Sequence, residues 1–267
     1  MDHVARKRWG QHFLSDTRIV ERIVAAIAPR SADRIVEIGP GKGALTRPLL
    51  ERVARLDVIE VDRALASRLL EEFPEKGLVV HQADALRFDY ASLDWPFRAV
   101  GNLPYNISTP LLFRLAEFAD RIVDCHFMLQ KEVVDRMAAP PSGSAYGRLS
   151  VMLQYRFRVE RLFAVSAGAF RPAPKVESAV VRLRPRPLKE LEAKDEELLR
   201  RVATAAFSRR RKTLKNALAP LLEAGELAEI GIDPGLRPEN LAVAQFVAIA
   251  NRLYYAGIHK SGPDWQN

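Results

Sequence analysis

Cysteine is almost missing from this chain: Cys125 is the only one in 267 residues. One thiol forms no internal disulfide and builds no thiolate metal cluster, which points to an intracellular protein without a metal centre. Cys125 itself reads as a small buried apolar side chain on a strand. Long apolar runs are missing too. No stretch approaches the roughly 18 uncharged residues that a membrane span needs, so no membrane contact is expected. The opening MDHVARKRWGQHFL is basic but lacks an apolar core and a small-residue cleavage site. That argues against a secretory signal and for the cytoplasm. There are no internal repeats, no low-complexity tract and no obvious His or Cys catalytic pair.

What remains is ordinary in bulk and informative in detail. Apolar residues at 48% and charged residues at 28% describe a globular protein with room for one sizeable core and a small second unit. Lys and Arg number 41 against 33 Asp and Glu, a net charge of +8. Such a balance favours a polyanionic partner, although where the charge sits matters more than its sum.

The first 130 or so residues alternate short apolar strands with amphipathic helices. Ser15 or Asp16 caps a helix with apolar residues at Ile19, Val20, Ile23, Val24 and Ile27. Strands are expected at Arg34–Ile38, Leu56–Val61, Leu78–Gln82, Arg98–Val100 and His126–Leu129, and a helix at Ala44–Arg55. This alternation implies a mostly parallel, doubly wound sheet. Pro140–Ser144 reads as a mobile surface loop. Arg158–Val165 and Ser178–Leu183 form a candidate antiparallel pair that closes the sheet. After Arg184-Pro185-Arg186-Pro187 the pattern turns wholly helical behind an Asp195 cap, so a domain boundary is placed near residue 185.

Glu37-Ile38-Gly39-Pro40-Gly41-Lys42-Gly43 follows the first of these strands and opens a helix. Its glycines let the backbone turn sharply and let a ligand lie against it. The spacing is G-x-G-x-G, not the G-x-G-x-x-G of dinucleotide folds, and it suits an uncharged ribose and an amino-acid tail better than a pyrophosphate. Glu60, at the end of the next strand, offers a carboxylate to both ribose hydroxyls. Asp84 after the third is placed to receive an adenine amino group. Ligands in such sheets bind at this edge, so three signals at three strand ends reinforce one another.

Gly101-Asn102-Leu103-Pro104-Tyr105 follows the fourth strand at the same edge. The pattern Asn/Asp-x-Pro-aromatic suits methylation of an exocyclic amine. That nitrogen is a poor nucleophile because its lone pair is delocalised into the ring. Asn102 Oδ1 and a backbone carbonyl, that of Leu103, each accept one N–H and favour a pyramidal nitrogen. Pro104 stiffens the turn. Tyr105 supplies a stacking face worth about 1–3 kcal/mol. No general base is required, since the nitrogen loses its proton after transfer.

Basic residues crowd between Arg200 and Lys215: Arg200, Arg201, Arg209, Arg210, Arg211, Lys212 and Lys215, with no acid interleaved. Phosphate contacts are the favoured reading of this run, with Arg209, Arg210, Arg211, Lys212 and Lys215 at its centre. Arg6, Lys7 and Arg8 offer a second patch.

Together these segments carry a specific resemblance. Gly10–Leu14, Glu37–Gly43, Asn102–Tyr105, Phe170–Val176 and Phe207–Leu214 make the chain similar, over essentially its whole length, to the bacterial ribosomal RNA small subunit adenine dimethyltransferases, the kasugamycin-sensitivity enzymes. The resemblance implies a Rossmann-like S-adenosylmethionine-dependent methyltransferase sheet, mostly parallel with one antiparallel strand, over residues 1–185. A small all-helical, rRNA-binding domain over residues 186–267 follows. It further implies N6,N6-dimethylation of two adjacent adenosines in the 3′-terminal hairpin of small-subunit rRNA during ribosome biogenesis. S-adenosyl-L-methionine is the methyl donor, the immature small subunit is the partner, and the protein is a cytoplasmic monomer without metal.

By the same resemblance His12 and Leu14 line the cofactor pocket with Gly39, Gly41, Glu60, Asp84 and Asn102. Phe170 stacks on the target adenine opposite Tyr105, an arrangement that accompanies extrusion of a base. One departure is visible: many members carry Asn where this chain has His12. Competing readings are methylation of large-subunit rRNA adenine, a ribosome assembly factor acting mainly by binding, and a nicotinamide dehydrogenase, which the glycine spacing disfavours.

Overall fold

The computed structural model describes residues 12–74, 77–94, 96–209 and 211–258. Its contacts divide into two units, Met1–Asp135 with Phe157–Pro185, and Arg136–Arg156 with Arg186–Asn267.

The first unit opens with β1 (Phe13–Leu14) and α1 (Thr17–Ile27), then β2 (Ile35–Ile38), α2 (Thr46–Leu50), β3 (Leu56–Glu60), α3 (Arg63–Glu72), β4 (Leu78–Gln82), β5 (Phe97–Asn102), α4 (Ser108–Ala116) and β6 (Ile122–Gln130). Helix α5 (Lys131–Ala138) follows, and after the insertion of α6 (Arg148–Arg156) the unit is completed by β7 (Phe157–Val165), β8 (Phe170–Arg171) and β9 (Ser178–Pro185). Seven strands form one sheet in the order β4-β3-β2-β5-β6-β9-β7. Pairings from β4 to β6 are parallel, and β9 runs antiparallel to both β6 and β7. One reversed strand in an otherwise parallel sheet is the expected arrangement.

The central strands are apolar because both faces are covered. Every residue of β2 is buried, Glu37 included. Asp16 starts α1 by accepting from the N–H groups of Arg18 and Ile19, and Ile23, Val24 and Ile27 carry its apolar face into the core with Leu49, Leu56 and Val58. Chain order moves outward from β2 to β3 and β4, then returns to β5 on the other side of β2. That reversal leaves a crevice outside the carboxyl ends of β2 and β5. Below the opposite end, Arg98 of β5 binds Asp124 through Nε and Nη2 at 2.8 Å each, Asp33 at 2.7 Å and the Ile27 carbonyl at 2.6 Å.

Helix α2 is shorter than the Ala44–Arg55 expected. Pro48 has no N–H for the Ala44 carbonyl, so regular helix is confined to Thr46–Leu50. Cys125 is buried on β6, as read from its neighbours.

The second unit packs α6 with α7 (Glu196–Phe207), α8 (Leu214–Ala217), α9 (Ala224–Glu229) and α10 (Val243–Tyr255). Tyr146, Val151 and Tyr155 share a core with Leu198, Leu199, Val202, Phe246 and Leu253. Residues 136–156 therefore cluster with the chain after Arg186, a grouping not visible in the sequence pattern. Asp195 caps α7 through the N–H groups of Glu197 and Leu198. The loop at Pro140–Ser144 is not loose: Ser142 N–H donates to the Glu239 carbonyl at 2.7 Å, and Asn240 Nδ2 donates to Ser142 Oγ at 3.2 Å. Among the described residues no helix is long and apolar enough to cross a membrane.

Candidate active site

The crevice at the carboxyl ends of β2 and β5 is a cleft lined by His12, Gly39, Gly41, Glu60, Asp84, Asn102, Leu103, Pro104 and Tyr105. Nine residues singled out from sequence thus converge in one place. Phe13, Ala85 and Ile107 also line it.

Backbone bonds set the cleft's edges. Gly39 N–H donates to the Ile59 carbonyl at 2.9 Å and Ala83 N–H to the Glu60 carbonyl at 3.1 Å, which brings the turns after β2, β3 and β4 side by side. Gly41 has φ of +58°, and a Cβ there would fall 3.1 Å from the Phe13 ring. Gly101 admits still less: a Cβ would stand 2.3 Å from the Ile38 carbonyl oxygen. Only glycine lets β5 pass so close to β2 and deliver Asn102 beside the turn.

Glu60 joins the turn to the strand. Its Oε2 accepts from Gly41 N–H at 3.1 Å and its Oε1 from Asp62 N–H at 2.9 Å, while the side chain is almost wholly buried. Burial pushes its carboxyl above the ordinary Glu range, against the stabilising N–H groups of Asp62 and Gly41. Glu37 lies behind it, fully buried, accepting from Thr46 Oγ1 at 2.7 Å. Burial raises Glu37 to about 8, opposed by the Thr46 hydroxyl and reinforced by Glu60. Asp84 is exposed, with Oδ1 accepting from Leu86 N–H at 2.9 Å.

The Asn102–Tyr105 segment is fixed on several sides. Asn102 Nδ2 donates to the His12 carbonyl at 2.9 Å, which settles the amide's orientation and leaves Oδ1 as its acceptor. Leu103 N–H donates to the Met128 carbonyl and Ile107 N–H to that of Pro104. Tyr105 Oη and Ser178 Oγ share a hydrogen bond of 2.7 Å; burial raises the phenol and this bond opposes it. The His12 imidazole stacks on Tyr105 with ring centroids 5.5 Å apart, and its Nδ1–H donates to the Pro172 carbonyl at 2.9 Å.

Two expected residues are elsewhere. Leu14 is buried in the core with Ile23 and Val24, and Phe13 beside it reaches the cleft instead. Phe170 is fully buried in that same core, paired with Leu14 in the short β1–β8 ladder, so it presents no face to a base opposite Tyr105. Both side chains are large and apolar, and the core takes them. Glu37, Thr46 and Ser178 were not anticipated in any role. A carboxylate inside an otherwise apolar strand was the one signal that marked Glu37.

Arg200 and Arg201 of the basic run lie on α7 and Lys215 on α8, with a turn between the two helices. After α7 ends at Phe207, Lys212 N–H bonds back to the Arg209 carbonyl and Arg211 has φ of +72°. Arg209, Arg211, Lys212 and Lys215 are exposed. Arg210 and the Arg6–Arg8 patch lie outside the described residues. The absence of interleaved acids did not leave every arginine unpaired: Arg200 is held by Glu197 one turn earlier.

Sheet and cleft define a Rossmann-like methyltransferase. A dimethyladenosine transferase from Plasmodium falciparum superposes with a TM-score of 0.80 at 25% identity, covering 92% of this chain and 98% of that one. The 23S rRNA methyltransferase ErmE gives 0.69 at 27% identity, covering 91% and 99%. In sequence, the Ribosomal RNA small subunit methyltransferase A of Aromatoleum aromaticum is 59% identical over 252 residues, 94% of this chain and 95% of that protein. Its counterpart in Thiobacillus denitrificans is 57% identical over 251 residues, 94% and 98%. The chain belongs to the ribosomal RNA adenine dimethylase family, whose model matches residues 2–254.

Proposed function

We propose that the chain dimethylates the N6 amino groups of two adjacent adenosines in the 3′-terminal hairpin of small-subunit rRNA during ribosome biogenesis. S-adenosyl-L-methionine is the methyl donor and supplies an electrophilic methyl group on a sulfonium. The observation that carries the reading is the Asn102 amide, oriented by the His12 carbonyl and set beside Glu60 at the switch point of the sheet.

The cleft suits that cofactor on its own terms. A Cβ at Gly39 would enter the gap toward the Asn102 carbonyl and Pro104, each 3.8 Å away, so bare backbone keeps that space open. Glu60 holds the ribose hydroxyls with the lone pairs that Gly41 and Asp62 do not use, and Asp84 holds the adenine amino group. His12 and Gly41 complete the wall. At the target nitrogen, Asn102 Oδ1 and the Leu103 carbonyl accept the two N–H groups and draw the lone pair out of conjugation. Pro104 keeps that carbonyl in place. His12 covers one face of Tyr105, and the target base stacks on the other. Catalysis is then mainly positioning and preorganised polarity.

The unit of residues 1–135 with 157–185 serves as the methyltransferase domain, and that of residues 136–156 with 186–267 as the helical rRNA-binding domain, with phosphates held by Arg209, Arg210, Arg211, Lys212 and Lys215. The partner is the immature small subunit, met by a cytoplasmic monomer. Relatives at 57–59% identity named for the small subunit favour it over the large-subunit reading that ErmE represents at 27%.

The test is incubation with methyl-labelled S-adenosylmethionine and separated ribosomal particles, followed by mass spectrometry of rRNA nucleosides. Two dimethyladenosines per small particle are expected. Label confined to large-subunit RNA would overturn the choice of substrate.

A further inference from the structure

The helical unit carries a second cavity, of about 420 Å³, that shares no residue with the cleft. Such a volume lies within the range of small-ligand sites. Ala205, Ala217, Ala219, Pro220 and Leu221 give it an apolar wall, and Arg200, Arg201 and Arg209 stand around it. Among the described residues no acidic side chain lines it. Arg200 is occupied by Glu197, whereas Arg201 and Arg209 have no acidic partner among the described residues. Two oxygens are available as acceptors: Ser208 Oγ–H donates back to the Ala205 carbonyl at 2.7 Å, and Asn216 Nδ2 donates to Thr213 Oγ1 at 3.0 Å, which leaves Asn216 Oδ1 for a ligand.

An apolar wall, an amide acceptor and two guanidiniums without an acidic partner among the described residues match one ligand chemistry. A base has apolar faces for the wall and an N–H edge for Asn216, and its phosphate suits Arg201 and Arg209. An acidic peptide would use the cations and leave the wall bare. We infer that this slot takes one unpaired nucleotide of the RNA substrate, distinct from the methylated adenosines, and so anchors single-stranded RNA on the helical unit. The inference rests on the reading of the chain as an rRNA-modifying enzyme.

The test is fluorescence anisotropy on the full chain with labelled hexacytidylate, which carries no adenine for the cleft, against a 12-base-pair RNA duplex. Ala219→Leu fills the slot without changing charge, at an exposed position. It is expected to weaken hexacytidylate about tenfold, as roughly 55 Å² of base surface would no longer be buried on the apolar wall, and to leave duplex binding unchanged. Arg201→Ala and Arg209→Ala should each lower the salt slope for hexacytidylate by about 0.7. Thermal unfolding checks the fold of each variant. Should Ala219→Leu not fold, Asn216→Ala takes its place, with a loss of about fivefold expected for one hydrogen bond. Unchanged hexacytidylate affinity in the folded slot variant, equal losses for the duplex, or equal competition by hexaglutamate would overturn the slot. Small-particle methylation by the unaltered chain is measured alongside. If it is normal while the slot variant binds normally, the slot alone fails; if it is absent, the reading beneath the slot fails as well.

Discussion

The side-chain amide of Asn102 donates to the backbone carbonyl of His12 at 2.9 Å, joining residues 90 positions apart. One bond thereby fixes which end of the amide faces the cleft and ties β1 to the end of β5. Asn102→Ala removes both, and single-turnover methylation should fall about 10²- to 10³-fold with cofactor affinity retained. Asn102→Asp keeps an oxygen for the target amine but sets a carboxylate against the His12 carbonyl. It should retain measurable turnover and loosen His12–Leu14, seen as faster amide exchange there. Near-normal turnover in Asn102→Ala would defeat the account of amine activation.

Glu60 accepts from Gly41 and Asp62 while lining the cleft proposed to hold the cofactor. In Glu60→Gln an amide N–H₂ must face one of those two donors, and the charge-assisted bonds to ribose are lost. A drop in S-adenosylmethionine affinity of about 100-fold by calorimetry is expected, with RNA binding intact. Because burial raises the Glu60 carboxyl, cofactor affinity of the unaltered chain should weaken as pH falls through a range above that of an ordinary glutamate. A binding curve flat down to the ordinary range would contradict this.

Gly101 is a packing requirement with a consequence for the site. Gly101→Ala would place a Cβ 2.3 Å from the Ile38 carbonyl oxygen, backbone against backbone, where neither strand yields easily. A loss of about 3 kcal/mol is expected in denaturant titrations, at the upper end for overpacking. Gly225→Ala meets nothing within 4 Å and serves as the control.

The parts of this molecule that sequence disclosed are those governed by local rules. Gly39, Glu60, Asp84 and Asn102, at or just after the carboxyl ends of four strands, had to share an edge once the sheet was parallel, and they line one cleft. Parts set by distant partners were hidden. Nothing near Leu14 or Phe170 announces that they pair with each other and enter the core, and a resemblance carries no record of those partners. Arg98 is an isolated cation in sequence, yet Asp124 and Asp33, 26 and 65 positions away, close around it. Arg200 has its partner in Glu197, which lies just before the acid-free run.

Arg211, Lys212 and Lys215 are exposed, so under the proposed function they would meet RNA as charges rather than as shaped contacts. Replacing all three by Ala should reduce the slope of log affinity against log salt by about 2 to 3 for a duplex-containing rRNA fragment. Methylation at saturating RNA should be little changed, since the cleft is untouched. An unaltered slope would mark the run as surface charge alone.

His126 on β6 is buried beside Asp124, and neither ring nitrogen has a hydrogen-bond partner among the described residues. Burial lowers its pKa to about 4 despite the nearby Asp124 carboxylate; Arg98, Arg182 and Arg184 add to the depression. A base whose folded pKa lies below its unfolded value near 6.5 is held neutral by folding. Its share of stability is complete above that value and is lost as pH falls toward 4. The shift caps this share at about 3 kcal/mol. His126→Leu keeps an apolar side chain in the pocket and abolishes the titration. Its unfolding free energy should match or exceed that of the parent at pH 7 and decline less between pH 6.5 and 4. Parallel stability curves for the two chains over that interval would show that His126 is not the group that titrates.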